Sequence, residues 1–383
     1  MCSFVKSKFE SNLVPRVISI LPNLQFGQVI MNTSISRLLA LSFYHSPMVA
    51  SKKSLFLTNS MIYQSFNHFS FNNRNVHISK TSFHQFCNSV IRYDSKLYEF
   101  TGLITSHLPI PSYGQDIVVI DAVFEGCVSP IDGGAINHFS PDQGNLKIAR
   151  STFVECRGQK YPGDGGAVYF SGNSSEIKEC CATRCHNYRN GHFICIALRG
   201  VEQTPNHFNS STVTYCGFVK PNGWQTSYLS IGTIIVNDIN TTHCSTSTQS
   251  SALFIHSIHQ YVYARRLHVE SNKGPWSIYF YAKFRAEILD STFIDNENSN
   301  ACLYYYKNGH VINCRFAKNK GPLIAPKSED GTIFIGNSIF DVDFKPIKGM
   351  IFENNNVSST NVKPVAIMGF HTHVCDRANK YFQ

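Results

Sequence analysis

The feature that most constrains the fold of this chain is a short pattern that occurs twice between residues 121 and 172. Each copy places a Phe three residues before a Cys and then, after a gap, the string Asp-Gly-Gly-Ala and a β-branched residue. The two copies are marked by Phe124 and Phe153, which are 29 residues apart. Because self-similarity at a fixed period is the signature of repeat architectures, we expect one repeat array rather than several compact domains.

The anchor of this pattern, a residue three positions ahead of Cys or Asn, recurs at steps of 23 to 31 residues. Each anchor follows a strand-like run of apolar and β-branched residues, and a second short apolar run follows most gaps. The anchors are Phe124-x-x-Cys127, Phe153-x-x-Cys156, Ala182-x-x-Cys185, Val213-x-x-Cys216, Thr241-x-x-Cys244, Val269-x-x-Asn272, Phe293-x-x-Asn296, Phe316-x-x-Asn319 and, less well preserved, Phe340-x-x-Asp343.

A repeat of this length, with two or three short strands and no helix, fits one coil of a parallel β-helix. We predict an all-β solenoid of about ten coils, with 23–31 residues per coil, over residues 54–365. Residues 1–53 are expected to form an N-terminal cap or irregular segment, and residues 366–383 a C-terminal tail. A cap is expected because an open coil exposes unpaired strand edges and its apolar interior.

In a stacked coil the same position of every coil lies over its neighbour, so the Phe anchors should form a column of rings in the core. Asn three residues later can form a hydrogen-bonded ladder at the bend, and Cys can replace it as a small buried side chain. The Gly pairs should supply positive φ and close backbone approach, and the Ala after them a crowded inward position. The residues predicted to define the repeat are Phe124, Cys127, Gly133, Gly134, Ala135, Phe153, Cys156, Gly165, Gly166, Ala167, Cys185, Cys216, Cys244, Phe293, Asn296, Phe316 and Asn319.

Composition restricts the classes of partner. The net charge of +9 is scattered, without the run of basic residues typical of nucleic-acid binding, so no nucleic acid is expected. The longest apolar segments are broken well short of the ~20 residues of a transmembrane helix. The first residues lack the basic and apolar regions of a signal peptide. The thirteen Cys include no Cys-x-x-Cys pair, which leaves their redox state open.

The alternation of Gly-Gly-Ala-Ile or Gly-Gly-Ala-Val with Phe-x-x-Cys resembles the repeat of chlamydial polymorphic outer-membrane proteins and of similar surface proteins of trichomonad protists. Both motifs occur together at Phe124 and Phe153, and the looser spacing extends over about residues 80–345. The resemblance implies a right-handed parallel β-helix similar to the pectin-lyase-like fold. It also implies an extracellular or cell-surface location and adhesion to a host-cell protein or glycan.

Parallel β-helices also carry polysaccharide-degrading enzymes, whose carboxylates converge on one face. The strings that mark those families, Asn-Thr-Asp, Asp-Asp, Gly-His-Gly and Arg-x-Lys, are absent from this chain. His371, His373 and Cys375, and His256 with His259, could supply metal ligands, although exposed tail residues are the favoured interpretation for the first group. Cys180, Cys181 and Cys185 could likewise form a disulfide or redox site, but they coincide with a repeat anchor.

Two aromatic triplets, Tyr279-Phe-Tyr281 and Tyr304-Tyr-Tyr306, lie one coil apart. Their rings either form an outward strip suited to sugars or protein partners or stack inward, and the sequence leaves both open. We predict no catalytic, cofactor-binding or metal-binding residue and a non-enzymatic surface or secreted protein that acts as an adhesion platform. The alternatives are a carbohydrate-active enzyme of pectate-lyase or glycoside-hydrolase type on the same fold, and a truncated gene product without an independent role.

Overall fold

The computed structural model describes residues 116–139, 144–159, 161–199, 203–218, 223–257, 260–328, 330–342, 344, 347–353 and 357–358, together with short strands between residues 3 and 94. Every regular element in these parts of the chain is a β-strand, and none is a helix. All the described strand pairs are parallel, and the register between coils is continuous apart from shifts at Ser250/Leu253 and Gly274/Trp276. The predicted all-β solenoid of stacked parallel strands is therefore confirmed.

Three sheets are formed by these strands. The largest has 25 strands, and its members are Ser3–Val5, Lys8–Glu10, Gln28–Met31, Ser34–Ser36, Lys53–Thr58, Met61–Tyr63, Arg74–Ser79, Ser82–His84, Ile117–Ile120, Val123–Glu125, Asn145–Ala149, Thr152–Val154, Ser174–Lys178, Cys181–Thr183, Pro205–Thr214, Thr233–Thr242, Val262–Glu270, Arg285–Leu289, Thr292–Ile294, Asn308–Ile312, Arg315–Ala317, Ile333–Gly336, Ile339–Phe340, Met350–Phe352 and Val357–Ser358.

The second sheet has ten strands, which are Phe69–Ser70, Ile91–Asp94, Ile136–Phe139, Val168–Ser171, Ile194–Ala197, Ser227–Ser230, Ser250–Ser257, Lys273–Ala282, Glu297–Tyr305 and Ile324–Pro326. The third sheet pairs the short strands Val128–Ser129 and Arg157–Gly158. Each well-described coil gives two strand segments to the 25-stranded sheet and then one strand to the ten-stranded sheet. Three strands, Pro205–Thr214, Thr233–Thr242 and Val262–Glu270, run through both segments without interruption.

The anchor residues of the sequence pattern pair directly with one another in the 25-stranded sheet. Phe124 pairs with Phe153, and the same register continues through Ala182, Val213, Thr241, Val269, Phe293 and Phe316 to Phe340. Their side chains point into one continuous core that runs through the coils. Burial of each of the larger anchors contributes about 2 kcal/mol.

Two bends in each coil flank the anchor strand, and most of them are made by non-glycine residues with positive φ. Asp121, Arg150 and Glu179 occupy the first bend of successive coils with φ of 53°, 47° and 54°. Their side chains alternate in charge, and unlike charges lie close together. Arg150 Nε is 2.7 Å from Asp121 Oδ1, and Arg150 Nη1 is 4.0 Å from Glu179 Oε2. Backbone bonds between coils hold these bends, as where Asp121 N–H donates to Ala149 O at 3.1 Å.

The predicted N-terminal and C-terminal segments stay predictions. Residues 366–383 lie outside the described residues, and so does most of residues 1–53. The strands described within the N-terminal segment join the same parallel register, since Ser3–Val5 pairs with Gln28–Met31 and Lys8–Glu10 with Ser34–Ser36.

Candidate functional site

The five cysteines of the repeat, Cys127, Cys156, Cys185, Cys216 and Cys244, occupy one buried column beside the anchor row. Each follows its anchor by three residues and faces the interior after the second bend. The thiol of Cys156 donates to Phe124 O at 3.5 Å, and the thiol of Cys244 donates to Val213 O at 3.7 Å. Burial raises the pKa of the Cys156 and Cys216 thiols, which keeps them protonated and unreactive.

Asparagines continue this column in the later coils. The side-chain amide of Asn296 donates to Val269 O at 2.8 Å and to Asn319 Oδ1 at 2.9 Å. Its own Oδ1 accepts the backbone N–H of Asn272 at 3.0 Å. The column changes from cysteine to asparagine between Cys244 and Asn272, where the Cys244 N–H donates to Asn272 Oδ1 at 2.8 Å. This column is a structural ladder that leaves no group available for chemistry on a ligand.

The Gly-Gly-Ala strings form the turn into the ten-stranded sheet. Gly133 and Gly165 have φ of 52° and 68°. A Cβ on Gly134 would lie 2.6 Å from Cys127 O, and one on Gly166 would lie 1.9 Å from His192 O. Ala135 and Ala167 are both fully buried. These residues pack the turn closely against the backbone of the neighbouring coils.

Most of the described cysteines are free and buried. Those outside the five-cysteine column are Cys180, Cys195, Cys302 and Cys314. Cys181, in contrast, is disulfide-bonded. No redox pair formed by Cys180 and Cys185 is present in the described part of the chain.

Of the candidate metal ligands, only His256 belongs to the described residues. His371, His373, Cys375 and His259 lie outside the described residues. Within the residues that are described, no group of three or more His, Cys, Asp or Glu could hold a metal ion.

The outer side of the ten-stranded sheet carries a row of aromatic rings in register. Tyr228, Phe254, Tyr279 and Tyr304 follow one another in successive coils. Their ring centroids are separated by 5.5, 4.9 and 4.9 Å. Phe254 and Tyr279 are only 8% and 6% exposed, so they form the base of the row. Tyr304 is more open and forms part of its surface.

A second row runs beside the first, two residues further along each strand. It contains His256, Tyr281, Tyr306 and Lys327. The rings of Tyr281 and Tyr306 are 4.3 Å apart, and the Lys327 ammonium lies 5.6 Å and 5.2 Å from their centroids. Trp276 closes the other side by stacking on Tyr304 at 5.1 Å. We call the set Tyr228, Phe254, Trp276, Tyr279, Tyr281, Tyr304 and Tyr306 the aromatic face.

Both alternatives for the aromatic triplets are realised, each by different rings. The middle residues, Phe280 and Tyr305, point inward, are fully buried and stack on each other at 4.9 Å. The flanking tyrosines point outward because side chains alternate along a strand.

Polar residues lie at the turns into the ten-stranded sheet in the three coils that precede the aromatic face. Asp132 Oδ1 accepts the backbone N–H of Asp164 at 2.7 Å, and Asp164 Oδ1 accepts that of Asn190 at 3.1 Å. Arg189 Nε lies 3.4 Å from Asp164 Oδ1. Burial raises the pKa of Asp164, although Asn190 and Arg189 oppose that shift. Cross-coil backbone bonds occupy these carboxylates, so their first role is to shape the turn.

Three register-matched side chains connect these polar coils to the edge of the aromatic face. Tyr169, Cys195 and Tyr228 are register partners on three successive coils. Burial raises the pKa of Cys195 and raises that of Tyr228 to about 12. Both groups are therefore neutral at physiological pH.

Sequence reasoning found Tyr279, Tyr281, Tyr304 and Tyr306 but not the other members of the aromatic face. Tyr228 and Phe254 belong to strands that share no motif with those triplets, and Trp276 lies on the strand Lys273–Ala282 three residues before the first triplet. Aligning the second strand of every coil on its inward row, which passes through Leu229, Ile255, Phe280 and Tyr305, would have placed Tyr228 and Phe254 in the same outward column.

Comparisons of this chain with protein families, with curated proteins and with solved structures find no match. Among the described residues, no helix is long and apolar enough to cross a membrane.

Proposed function

We propose that this protein is a non-enzymatic interaction protein, secreted or displayed at a cell surface, that binds glycans through the aromatic face. The observation that supports this proposal is a set of partly exposed aromatic rings on the outer side of the ten-stranded sheet. These rings belong to Trp276, Tyr281, Tyr304 and Tyr306. We further propose the finer architecture that the sequence suggests: a right-handed, pectin-lyase-like β-helix of about ten coils, related to the polymorphic membrane proteins that it resembles.

The chemistry of the aromatic face fits a glycan. Tyr and Trp present broad apolar surfaces to the apolar faces of sugars, and the tyrosine hydroxyls can also form hydrogen bonds with sugar hydroxyls. They also lose little conformational freedom on binding, and these rings are already held by neighbouring rings. Coils stack at about 4.8 Å, so an extended polymer lying along the solenoid would meet equivalent rings in successive coils.

A double substitution tests this proposal. Trp276→Ala with Tyr304→Ala removes one stacked pair from the aromatic face, and we expect it to weaken glycan binding at least ~10-fold, as for central aromatic contacts in interfaces. The wild-type protein is first screened on a glycan array, and dissociation constants for the glycans it binds are then measured by calorimetry.

Tyr263→Ala is the matched control. Tyr263 is a tyrosine that is 43% exposed on the 25-stranded sheet, away from the aromatic face. Its removal should leave the glycan affinity unchanged. Wild-type protein that binds no glycan, or a double variant that binds as well as wild type, would reject the proposal.

A carbohydrate-active enzyme is the second candidate, and it is supported by the acidic residues in the coils that precede the aromatic face. Asp164 is a partly buried carboxyl with a raised pKa, and it lies next to Asp132 and Arg189. A group of this kind can serve as a general acid. Incubation with a polysaccharide panel should release neither reducing ends nor unsaturated products. Product release that Asp164→Asn abolishes would favour the enzyme instead.

A further inference from the structure

Three lysines lie at the corner where the chain leaves the ten-stranded sheet in three consecutive coils. Lys283 follows the strand Lys273–Ala282, Lys307 lies two residues after Glu297–Tyr305, and Lys327 follows Ile324–Pro326. They are one to three positions past the register-matched row of Phe280, Tyr305 and Pro326. All three side chains are exposed. We call this set the basic corner.

The basic corner adjoins the aromatic face directly. Tyr281 precedes Lys283 by two residues, and Tyr306 is the residue before Lys307. The ammonium of Lys327 lies over the rings of both tyrosines, at 5.6 Å and 5.2 Å from their centroids. A cation in this position is attracted to the ring faces while its N–H groups still reach solvent. One ligand can therefore touch the rings and the ammonium groups together.

The ammonium groups of the basic corner contact no carboxylate of the described residues, although the exposed Asp330 lies three residues after Lys327. Lys147, Lys178 and Lys273 each pair with a glutamate, whereas none of the three corner lysines forms an ion pair with a described residue. Glu287, on the strand that follows Lys283, already pairs with Arg285. The net charge of +9 adds a long-range field of the same sign.

From this geometry we propose that the ligand is an acidic glycan, whose carboxylate or sulfate groups pair with the basic corner while its sugar rings pack on the aromatic face. The proposal rests on the proposed function for the use of the aromatic face, and adds the chemical class of the ligand. Ammonium groups form charge-assisted hydrogen bonds with anionic oxygens. Flat nucleic-acid bases fit less well, because two pairs of these rings already stack on each other, at 4.3 Å and 5.1 Å.

Matched glycans test the charge directly. The probes are alginate oligosaccharides, the same oligosaccharides with their carboxyls reduced to alcohols, heparin-derived sulfated oligosaccharides and oligothymidylate, each titrated by calorimetry at low and physiological ionic strength. We expect at least one acidic probe, uronate or sulfated, to bind about 10-fold or more tightly than the carboxyl-reduced probe. That advantage should shrink as added salt screens the charges.

The triple variant Lys283→Gln, Lys307→Gln, Lys327→Gln should lose this advantage while keeping the affinity for the carboxyl-reduced probe. The control, Lys147→Gln, Lys178→Gln, Lys318→Gln, removes the same number of charges outside the basic corner and should bind like wild type. Circular dichroism and thermal melting check that both variants fold. The tighter of the uronate and sulfated probes identifies the anionic group.

Three results would overturn the acidic ligand: equal affinity for acidic and carboxyl-reduced oligosaccharides, an undiminished advantage in the corner variant, or tighter binding of oligothymidylate than of every glycan. If neutral oligosaccharides bind as tightly as every acidic probe and the Trp276→Ala, Tyr304→Ala variant abolishes that binding, the acidic ligand is rejected while the proposed function stands. Absence of binding to any glycan rejects both.

Discussion

Two buried histidines hold neutral imidazole rings inside the solenoid. His138 stacks on Phe170 with ring centroids 4.9 Å apart, and His192 Nδ1 accepts the backbone N–H of Asn187 at 3.0 Å. Burial lowers the pKa of each to about 3. In the unfolded chain the histidine pKa returns to about 6.5. The folded state therefore binds fewer protons than the unfolded state between these two pKa values.

The pH dependence of stability follows from that difference. A group whose pKa is lower in the folded state contributes full stability above about pH 6.5, and this contribution is lost as the pH falls towards about 3. We predict that the variant His138→Phe, whose new ring can stack on Phe170, will fold. Its free energy of unfolding should decrease less steeply than that of the wild type as the pH falls. Denaturant unfolding of both proteins across this range measures the effect, which reaches at most about 5 kcal/mol for one histidine.

Carboxylates and His192 contribute to the same pH range in both proteins, so only the difference between the two curves reports on His138. Two parallel curves would show that His138 is as readily protonated in the folded protein as in the unfolded chain.

At the scale of the elements, the coils are joined by side-chain ladders as well as by backbone bonds. Asn296 is fully buried and contacts both neighbouring coils, through Val269 O and Asn272 N–H on one side and Asn319 on the other. Removing one partner from such a buried set leaves the remaining groups without hydrogen bonds and costs each of them about 1–3 kcal/mol. A single asparagine therefore connects three coils.

We predict that Asn296→Ala will lower the free energy of unfolding by about 3 kcal/mol or more, because several buried donors and acceptors lose their partners. Chemical denaturation monitored by circular dichroism gives this value. Asn300→Ala is the control, since Asn300 is exposed and should change stability by less than ~0.5 kcal/mol. Similar losses in the two variants would show that the ladder adds nothing specific.

The turn glycines show how much of an element is predictable from the chain. Gly133 and Gly165 take positive φ, and the positions of Gly134 and Gly166 have no room for a Cβ. Both properties follow from the doubled Gly-Gly-Ala string. Turns of other coils meet the same need with different residues, as with Asn190-Gly191 in the next coil, where Gly191 has φ of 70°. The function of the turn is therefore retained where its sequence motif is not.

At the scale of the whole molecule, the solenoid is predictable because every coil repeats the same inward chemistry. Phe293, Phe316 and Phe340 are one repeat apart in the sequence and are paired neighbours in the sheet. The centroids of successive rings lie 5.0 and 5.1 Å apart. Such spacing is informative because an inward side chain must match the coil above and below it.

The aromatic face is predictable only in part, because outward residues do not have to match in this way. Phe280 and Tyr305 are as aromatic as their outward neighbours, so hydrophobicity does not mark which side faces the core. His138 occupies the same inward row as Phe280. Because histidine is a polar residue type, the sequence does not mark this position of the earlier coil as inward. The lysines of the basic corner come from three turns without a shared motif, and only the stacking of the coils brings them together.

The alternating charges at the first bend have a consequence for how the gene can change its length. Repeat proteins gain and lose whole repeats, and excising the coil that carries Arg150 would bring Asp121 directly against Glu179. Two negative side chains would then face each other at a bend that now joins opposite charges. Removing the coils of both Arg150 and Glu179 would bring Asp121 against Ser210, the neutral residue at the next first bend. Along this stretch, duplicating the pair of coils that carry Asp121 and Arg150 keeps unlike charges adjacent, whereas deleting the single coil that carries Arg150 places like charges together.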